Sequence, residues 1–285
     1  MTITEQAPAK VNLTLDILGK RPDGYHDLKM VMQTVSLYDT VTVTETAGEA
    51  VSVSVDRGDL PAGPDNIAWK AADVFFRRTG LPRRGLAIAL QKRIPAQAGM
   101  AGGSADGAAV LRVLRRLYAP ELPLTELEDM AAQVGSDVPF CVRGGTVLAE
   151  GRGERLHDLP SLPDCWLTLC KPAFGLSTPA LFGRVRVAEL KGRPDHEAME
   201  QALGDGDLTA VARQLANVFE EVLTAEESRE IRTIEETLLA HGALGAVMTG
   251  SGPTVFGLFS EQTRAEEAAA ALQRLDRQVF TVRPV

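Results

Sequence analysis

A run of small residues sets the tightest constraint on what this chain can fold into: Ile94-Pro95-Ala96-Gln97-Ala98-Gly99-Met100-Ala101-Gly102-Gly103-Ser104-Ala105-Asp106. Alternation of apolar and polar residues over 86–91 predicts a strand before it. Val110, Leu111, Leu114, Leu117 and Tyr118 fall at helical spacing after it. Gly99, Gly102 and Gly103 permit positive φ and a close approach of backbone to ligand. Ser104 or Asp106 can cap the helix. Backbone N–H groups and the positive end of the helix dipole then converge on one small volume, which attracts phosphate. The alternative is a tight turn that only packs the helix closely on its strand. There is no GxxxxGK[ST] run and no strand-GxGxxG-helix unit followed by an acidic residue about 20 positions on, so neither common nucleotide loop accounts for the segment.

The 285 residues are enough for two domains with sizeable cores. With 45% apolar and 24% charged residues, the composition is that of an ordinary globular protein. A net charge of −8 argues against a nucleic-acid binder, whose footprint is a basic face. It leaves room for an anionic small molecule held by backbone amides and a few lysines. Cys141, Cys165 and Cys170 are an odd set without paired spacing and read as reduced thiols. His26, His157, His196 and His241 lack zinc-site spacing. The opening residues carry no basic, apolar signal sequence, and no stretch of about 18 uncharged apolar residues follows. A cytoplasmic protein without membrane or nucleic-acid partners is expected; oligomeric state is left open.

Alternation predicts strands over 9–18, 35–45 and 51–55, with the turn formers of 19–26 as a loop. Asp65 or Asn66 can cap a helix over 67–78. Thr125 and Glu128 have the spacing of a capping box opening a helix to 134, which Gly135 ends. Strands are expected over 140–149 and 165–171, flanking a Gly/Arg-rich turn at 151–154. Helices fit 207–223, 227–240 and 262–274; strands fit 243–248, 253–259 and 277–282. The pattern is α+β, in two domains divided at about 155, that is 1–155 and 156–285, with a cleft between them.

Four further segments can carry chemistry. In Pro8-Ala9-Lys10-Val11-Asn12-Leu13, Lys10 and Asn12 fall on one side of an alternating strand. A lysine near a strand start is more often solvated. The turn Asp23-Gly24-Tyr25-His26 offers an aromatic face and an imidazole; Tyr25 can stack on a base or be a plain surface tyrosine. In Gly135-Ser136-Asp137-Val138-Pro139, Asp137 either stabilises the turn or, facing Lys10, accepts a proton from an attacking hydroxyl. Met248-Thr249-Gly250-Ser251-Gly252-Pro253-Thr254, read alone, is a hairpin loop in which Gly250 and Gly252 mark close backbone approach; beside a phosphate site it becomes a wall for a transferred group.

Together these segments resemble the GHMP kinase superfamily, over residues 7 to about 259. The Lys10–Asn12 strand and the Asp23–His26 turn resemble most specifically those members that phosphorylate a cytidine-diphosphate-linked polyol of isoprenoid precursor synthesis. The resemblance implies an N-terminal domain with a left-handed βαβ unit, against the usual hand, and a ferredoxin-like C-terminal domain. It implies transfer of phosphate from ATP to the 2-hydroxyl of that polyol, giving ADP. Lys10 and Asp137 match the catalytic pair, and Pro95 to Ala105 match the ATP-phosphate loop. Asn12, Tyr25 and His26 match residues holding the cytidine diphosphate part. Thr178 matches a nucleotide-side contact, and Phe182 matches the second ring, with Tyr25, of a cytosine sandwich. Gly250-Ser251-Gly252 matches the superfamily's third motif. Mg²⁺ is expected with ATP, its ligands undefined; Asp106 is one carboxylate in reach. Ala101 stands where the loop usually has glycine, so a positive φ there would be strained by roughly 1 kcal/mol or more. Ala105 stands where it usually has serine. Other members of the superfamily, acting on homoserine, mevalonate or sugars, would lack a reason for the Asp23–His26 turn. A nucleotide-binding sensor would lack a reason for keeping both Lys10 and Asp137.

Overall fold

Both faces of the opening strand are buried through its middle, which is why it runs so far. The computed structural model describes residues 1–273 and 277–285. In chain order it has β1 (Thr2–Lys20), β2 (His26–Thr46), β3 (Val51–Val55), α1 (Ile67–Thr79), β4 (Gly85–Gln91), α2 (Gly102–Tyr118), α3 (Leu124–Val134) and α4 (Val138–Arg143). There follow β5 (Thr146–Gly151), β6 (Arg155–Asp158), β7 (Trp166–Lys171), α5 (Thr178–Arg184), α6 (His196–Gly204), α7 (Leu208–Arg213) and β8 (Ala216–Asn217). The chain continues with α8 (Ala225–Ala240), β9 (Gly245–Met248), β10 (Val255–Phe259), α9 (Gln262–Leu272) and β11 (Gln278–Val282).

The chain divides into two compact units that interleave along it. The first comprises Met1–Ala9, Leu37–Ile94 and Ala101–Gly144. Within it, β3 pairs in parallel with β4, and β4 pairs antiparallel with the second half of β2. The β3-α1-β4 segment is therefore a βαβ unit of adjacent parallel strands. Asn66 caps α1 by accepting the Ala68 N–H, and Gly80 closes it at φ 67°. Helices α1 to α4 pack on one another, with Phe75, Val110, Leu111 and Leu114 in the core.

The second unit comprises Lys10–Ser36, Pro95–Met100 and Gly145–Val285. Here the first half of β2 pairs with β5, β5 with β6, and β1 runs parallel to the short β8. A second sheet has the order β11-β7-β10-β9 with antiparallel neighbours throughout. Helix α8 leads into β9, and α9 joins β10 to β11. Together with β7 this is the ββ-centred βαββαβ arrangement of a ferredoxin-like domain, with α5, α6, α7 and β8 inserted after its first strand. Helix α8 starts at a capping box of Thr224 and Glu227.

Four expectations are corrected. Residues 138–143 form α4 and not the start of a strand, and the strand begins only at Thr146. Pro139 is preset for the first helical turn, and a short apolar run cannot distinguish a buried helix from a strand by period. Helix α3 begins one residue before Thr125, with Pro123 at its N-cap and no capping side chain; Glu128 instead holds Arg143 through two bonds of 2.7 and 2.6 Å. The expected helix over 207–223 is broken into α7, β8 and a 3₁₀ turn over 218–222, because Asn217 accepts the Phe219 N–H and caps a new turn. Helix α2 is capped by neither Ser104 nor Asp106, which lie inside it; its N-cap is Ala101. The hairpin turn between β1 and β2 narrows to 21–25, and the expected end of α9 at 274 lies outside the described residues. Among the described residues no helix is long and apolar enough to cross a membrane.

Candidate functional site

Period two puts Lys10, Asn12, Thr14 and Asp16 on one face of β1. All four are buried, Lys10 to 3% and Asn12 to 1% exposure. Buried polar groups must be bonded or they cost stability, and each finds a partner within the second unit. Lys10 donates to Asn12 Oδ1 at 2.5 Å. The Asn12 N–H reaches Thr249 Oγ1 at 2.9 Å. Thr14 Oγ1 lies 3.1 Å from His196 Nδ1, and Arg193 donates to Asp16 at 2.6 Å. Lys10 is thus no solvated surface lysine, the more common fate of such a residue.

The loop after β9 closes on this stripe. A methyl group on Gly250 would lie 2.6 Å from the Gly99 carbonyl oxygen and 3.0 Å from the Lys10 ammonium. One on Gly99 would meet the Thr249 carbonyl oxygen at 2.2 Å. Main chain from two separate loops therefore lies against main chain, a distance that only glycine allows. The Lys10 N–H also bonds the Met100 carbonyl, at 3.2 Å.

Positive φ recurs at alternate residues of the first loop: Gln97 at 49°, Gly99 at 73° and Ala101 at 57°. Such alternation turns successive N–H groups toward one side and makes an anion-binding concavity. Ala101 has the strained left-handed conformation expected of it. Ala101 also brings no side chain to the first-turn amides of α2, at Gly102, Gly103 and Ser104, which remain able to serve an anion. Pro95, Ala98, Met100 and Ala105 are buried, while Ala96 is half-buried and Gly103 is exposed.

In the first unit a buried cluster ties down both ends of this loop. The Lys92 ammonium reaches Asp106 at 2.5 Å and also bonds Asp39. Asp39 accepts the N–H groups of Arg93 and Ile94 at 2.6 and 2.8 Å. Burial, with help from the Asp39 charge and against Lys92, pushes the Asp106 carboxyl up to about 7. Asp106 does not fit a magnesium ligand: an ammonium already takes the cation's place, and the carboxylate is 3% exposed. Among the described residues no group of three or more His, Cys, Asp or Glu side chains could hold a metal ion.

Asp137 stands half-buried at the N-cap of α4, its carboxylate making no capping bond to that helix. In the second unit, His26 stacks on Phe182 at 4.7 Å between ring centres and 16° between planes. Burial, and the nearby Lys20, push the His26 imidazole down, which favours its neutral form. Phe182 also meets Phe219 edge-on. Tyr25 is 53% exposed, with the Arg152 guanidinium 4.9 Å above its ring. Thr178 and Ser251 share a hydrogen bond of 2.6 Å. Arg152, Asn217, Lys92 and Asp39 were not singled out in the sequence; no spacing rule joins them to the motifs they touch.

The GHMP kinases N terminal domain family matches residues 66–145, and the GHMP kinases C terminal family matches 198–277. The chain is 44% identical over 283 residues to a 4-diphosphocytidyl-2-C-methyl-D-erythritol kinase of Exiguobacterium sibiricum, covering 99% of this chain and 98% of that one. It is equally similar, at 44% with the same coverages, to the kinase of that name from Pelotomaculum thermopropionicum. A crystal structure of 4-(cytidine 5'-diphospho)-2C-methyl-D-erythritol kinase superposes with a TM-score of 0.82 at 33% identity, over 99% of both chains. A homoserine kinase from Cytophaga hutchinsonii shares the fold at a TM-score of 0.79 and 19% identity, over 100% of this chain and 94% of that one. A buried lysine on the opening strand, a strained small-residue loop running into a helix, and a likeness that spans the chain from end to end agree: the protein belongs to the GHMP kinases, within the family of the 4-diphosphocytidyl-2-C-methyl-D-erythritol kinases, and is a small-molecule kinase.

Proposed function

We propose that this chain transfers the γ-phosphoryl group of ATP to the 2-hydroxyl of 4-diphosphocytidyl-2-C-methyl-D-erythritol, giving the 2-phosphate and ADP, in the non-mevalonate route to isoprenoid precursors. The observation that carries the reading is the Lys10 ammonium, buried, bonded to Asn12 and lying against the Gly250 backbone. A charge held so firmly suits phosphoryl transfer, which asks mainly for alignment and electrostatic stabilisation.

In this reading the amides of 99–104 hold the ATP phosphates, and Lys10 stabilises charge on the group in transit. Asp137 orients the acceptor hydroxyl and takes its proton as the new O–P bond forms and ADP leaves. Asn12, Thr178 and the Gly250-Ser251-Gly252 backbone hold the cytidylyl substrate. Cytosine stacks between Tyr25 and Phe182, displacing His26 from the Phe182 face, and the neutral imidazole reads the base edge. Mg²⁺ would accompany ATP and offset charge on its phosphates. The functional halves divide at about 155, between the segments that the two family models match, and the enzyme works in the cytoplasm.

The test is ADP release with a panel of alcohols. The cytidylyl alcohol is expected to be turned over, with homoserine and mevalonate inert; the reverse preference overturns the substrate. Asp137→Asn is expected to lower kcat by about 10²–10⁴-fold with little change in either KM. Unchanged turnover would remove Asp137 from the mechanism.

A further inference from the structure

Strand β9 is the edge of its sheet, in the order β11-β7-β10-β9. Met248, its last residue, is paired with Val255 of β10. An edge residue presents N–H and C=O groups that no further strand can satisfy. Two side chains from the segment after α7 take over that work. Glu220 Oε1 accepts the Met248 N–H at 2.7 Å. Asn217 Nδ2 donates to the Met248 carbonyl at 2.7 Å and to the Gly250 carbonyl at 2.8 Å. Asn217 is itself fixed: its Oδ1 accepts the Phe219 N–H at 3.0 Å, and its backbone lies beside Leu15 of β1.

These three bonds act where the strand turns into the loop of Gly250 and Gly252, which have φ of 58° and 69°. On its other side Gly250 meets the Gly99 carbonyl and the Lys10 ammonium. The loop backbone is thus gripped between a polar clamp and the lysine. We infer that Asn217 and Glu220 are positioning residues for phosphoryl transfer, holding the 248–252 backbone at its place beside Lys10. The inference rests on the proposed role of that loop at the transferred group.

Glu220 is backed by a hydrogen bond to Glu235 of α8, with Arg232 nearby. Two carboxyl groups in such contact share a proton. Burial pushes both upward, Glu235 to about 8, so the link is intact at neutral pH.

Two measurements on the full chain test the clamp. The variants are Glu220→Met, which keeps volume and removes the acceptor; Glu220→Gln, which keeps an acceptor for Met248 N–H; and Asn217→Ala. Amide exchange over 248–252 is expected to speed up at least tenfold in Glu220→Met and Asn217→Ala, and to return toward wild type in Glu220→Gln. In steady-state assays well below each melting point, kcat is expected to fall by about 10²-fold in Glu220→Met, the scale for a 1 Å misplacement, with KM for ATP unchanged and most of the rate recovered in Glu220→Gln. Wild-type exchange or wild-type kcat in both Glu220→Met and Asn217→Ala overturns the inference. If one of those two fails to fold, the other decides on the same terms. If the wild-type chain releases no ADP with the cytidylyl alcohol, the substrate reading falls, and exchange alone decides on the clamp.

Discussion

The stretches 95–105 and 248–254 both carry backbone in left-handed conformations, at Gln97, Gly99 and Ala101 in one and at Gly250 and Gly252 in the other. They are held by different chemistry. The first is tied at its two ends by opposite charges: Asp39 takes the Arg93 and Ile94 amides, and Lys92 joins Asp39 to Asp106. The second is held by hydrogen bonds from Asn217 and Glu220 to main chain. A buried ion pair is costly to break because the surviving charge is stranded. A hydrogen bond to main chain contributes a smaller amount, and its loss is more local. The first loop should therefore fail with the whole fold, and the second should loosen by degrees.

Lys92→Met puts that difference to its hardest test. It would leave two carboxylates buried without their cation, a loss of about 3–5 kcal/mol in unfolding free energy. Urea unfolding measures it. A loss no larger than that of Asn217→Ala would erase the distinction between the two loops.

Gly99→Ala comes next. At φ 73° the new methyl would meet the Thr249 carbonyl oxygen at 2.2 Å, and that oxygen is main chain. Overpacking and the left-handed strain together are expected to cost about 2–4 kcal/mol. Gly252→Ala is expected to cost less, because its nearest neighbour, Met248 Sδ at 2.3 Å, belongs to a flexible side chain and not to main chain. Melting curves that ranked the two the other way would mean the 249–252 backbone is the stiffer partner.

These loops also show where sequence alone stops being informative. Lys10 and Asn12 could be found because period two places them on one strand face. Strain at Ala101 could be found because the family loop that this one resembles usually has glycine where a methyl stands here. The ferredoxin-like half was implied by the resemblance to the GHMP kinases, and the alternating strands with helices between them agree with it. Asp39, Lys92 and Asp106 could not, since their meeting depends on how β2, the end of β4 and α2 pack, which no local pattern encodes. Asn217 and Glu220 were hidden by a different error: the apolar spacing of 207–223 mimics a helix, and only the Asn217 side-chain bond to Phe219 N–H shows that the chain turns there. Val138 to Val142 were misread because an apolar run with proline at its head serves a buried helix as well as a strand.

The Glu220–Glu235 contact gives the second loop a pH response. Burial, then the Glu220 charge, push the Glu235 carboxyl up to about 8, against about 4.3 for an unfolded glutamate. The folded chain then binds more protons than the unfolded one between those values, so stability falls as pH rises from about 4.3 toward 8 and levels off above. Asp106, pushed up to about 7, adds a fall of the same sign. Glu235→Gln should remove its own share and flatten the upper part of the curve, read as unfolding free energy at pH 5.5, 7 and 8.5. An unchanged slope in that variant would mean the pair does not share a proton, and the second loop would be as insensitive to pH as a clamp of amides alone.

Ala101→Gly has the smallest expected effect and bears most directly on why the loops differ. The left-handed conformation costs an alanine about 1–2 kcal/mol, while glycine loses about 0.4–1 kcal/mol more chain entropy on folding. The balance is a gain of roughly 0.8 kcal/mol, visible as a small rise in melting temperature. Such a gain would mean the ends of the first loop, tied by Lys92 and the two aspartates, impose the backbone conformation on whatever residue stands at 101. A loss would mean instead that the Ala101 methyl group contributes packing, and that the strain there is offset locally and not by the charged staple.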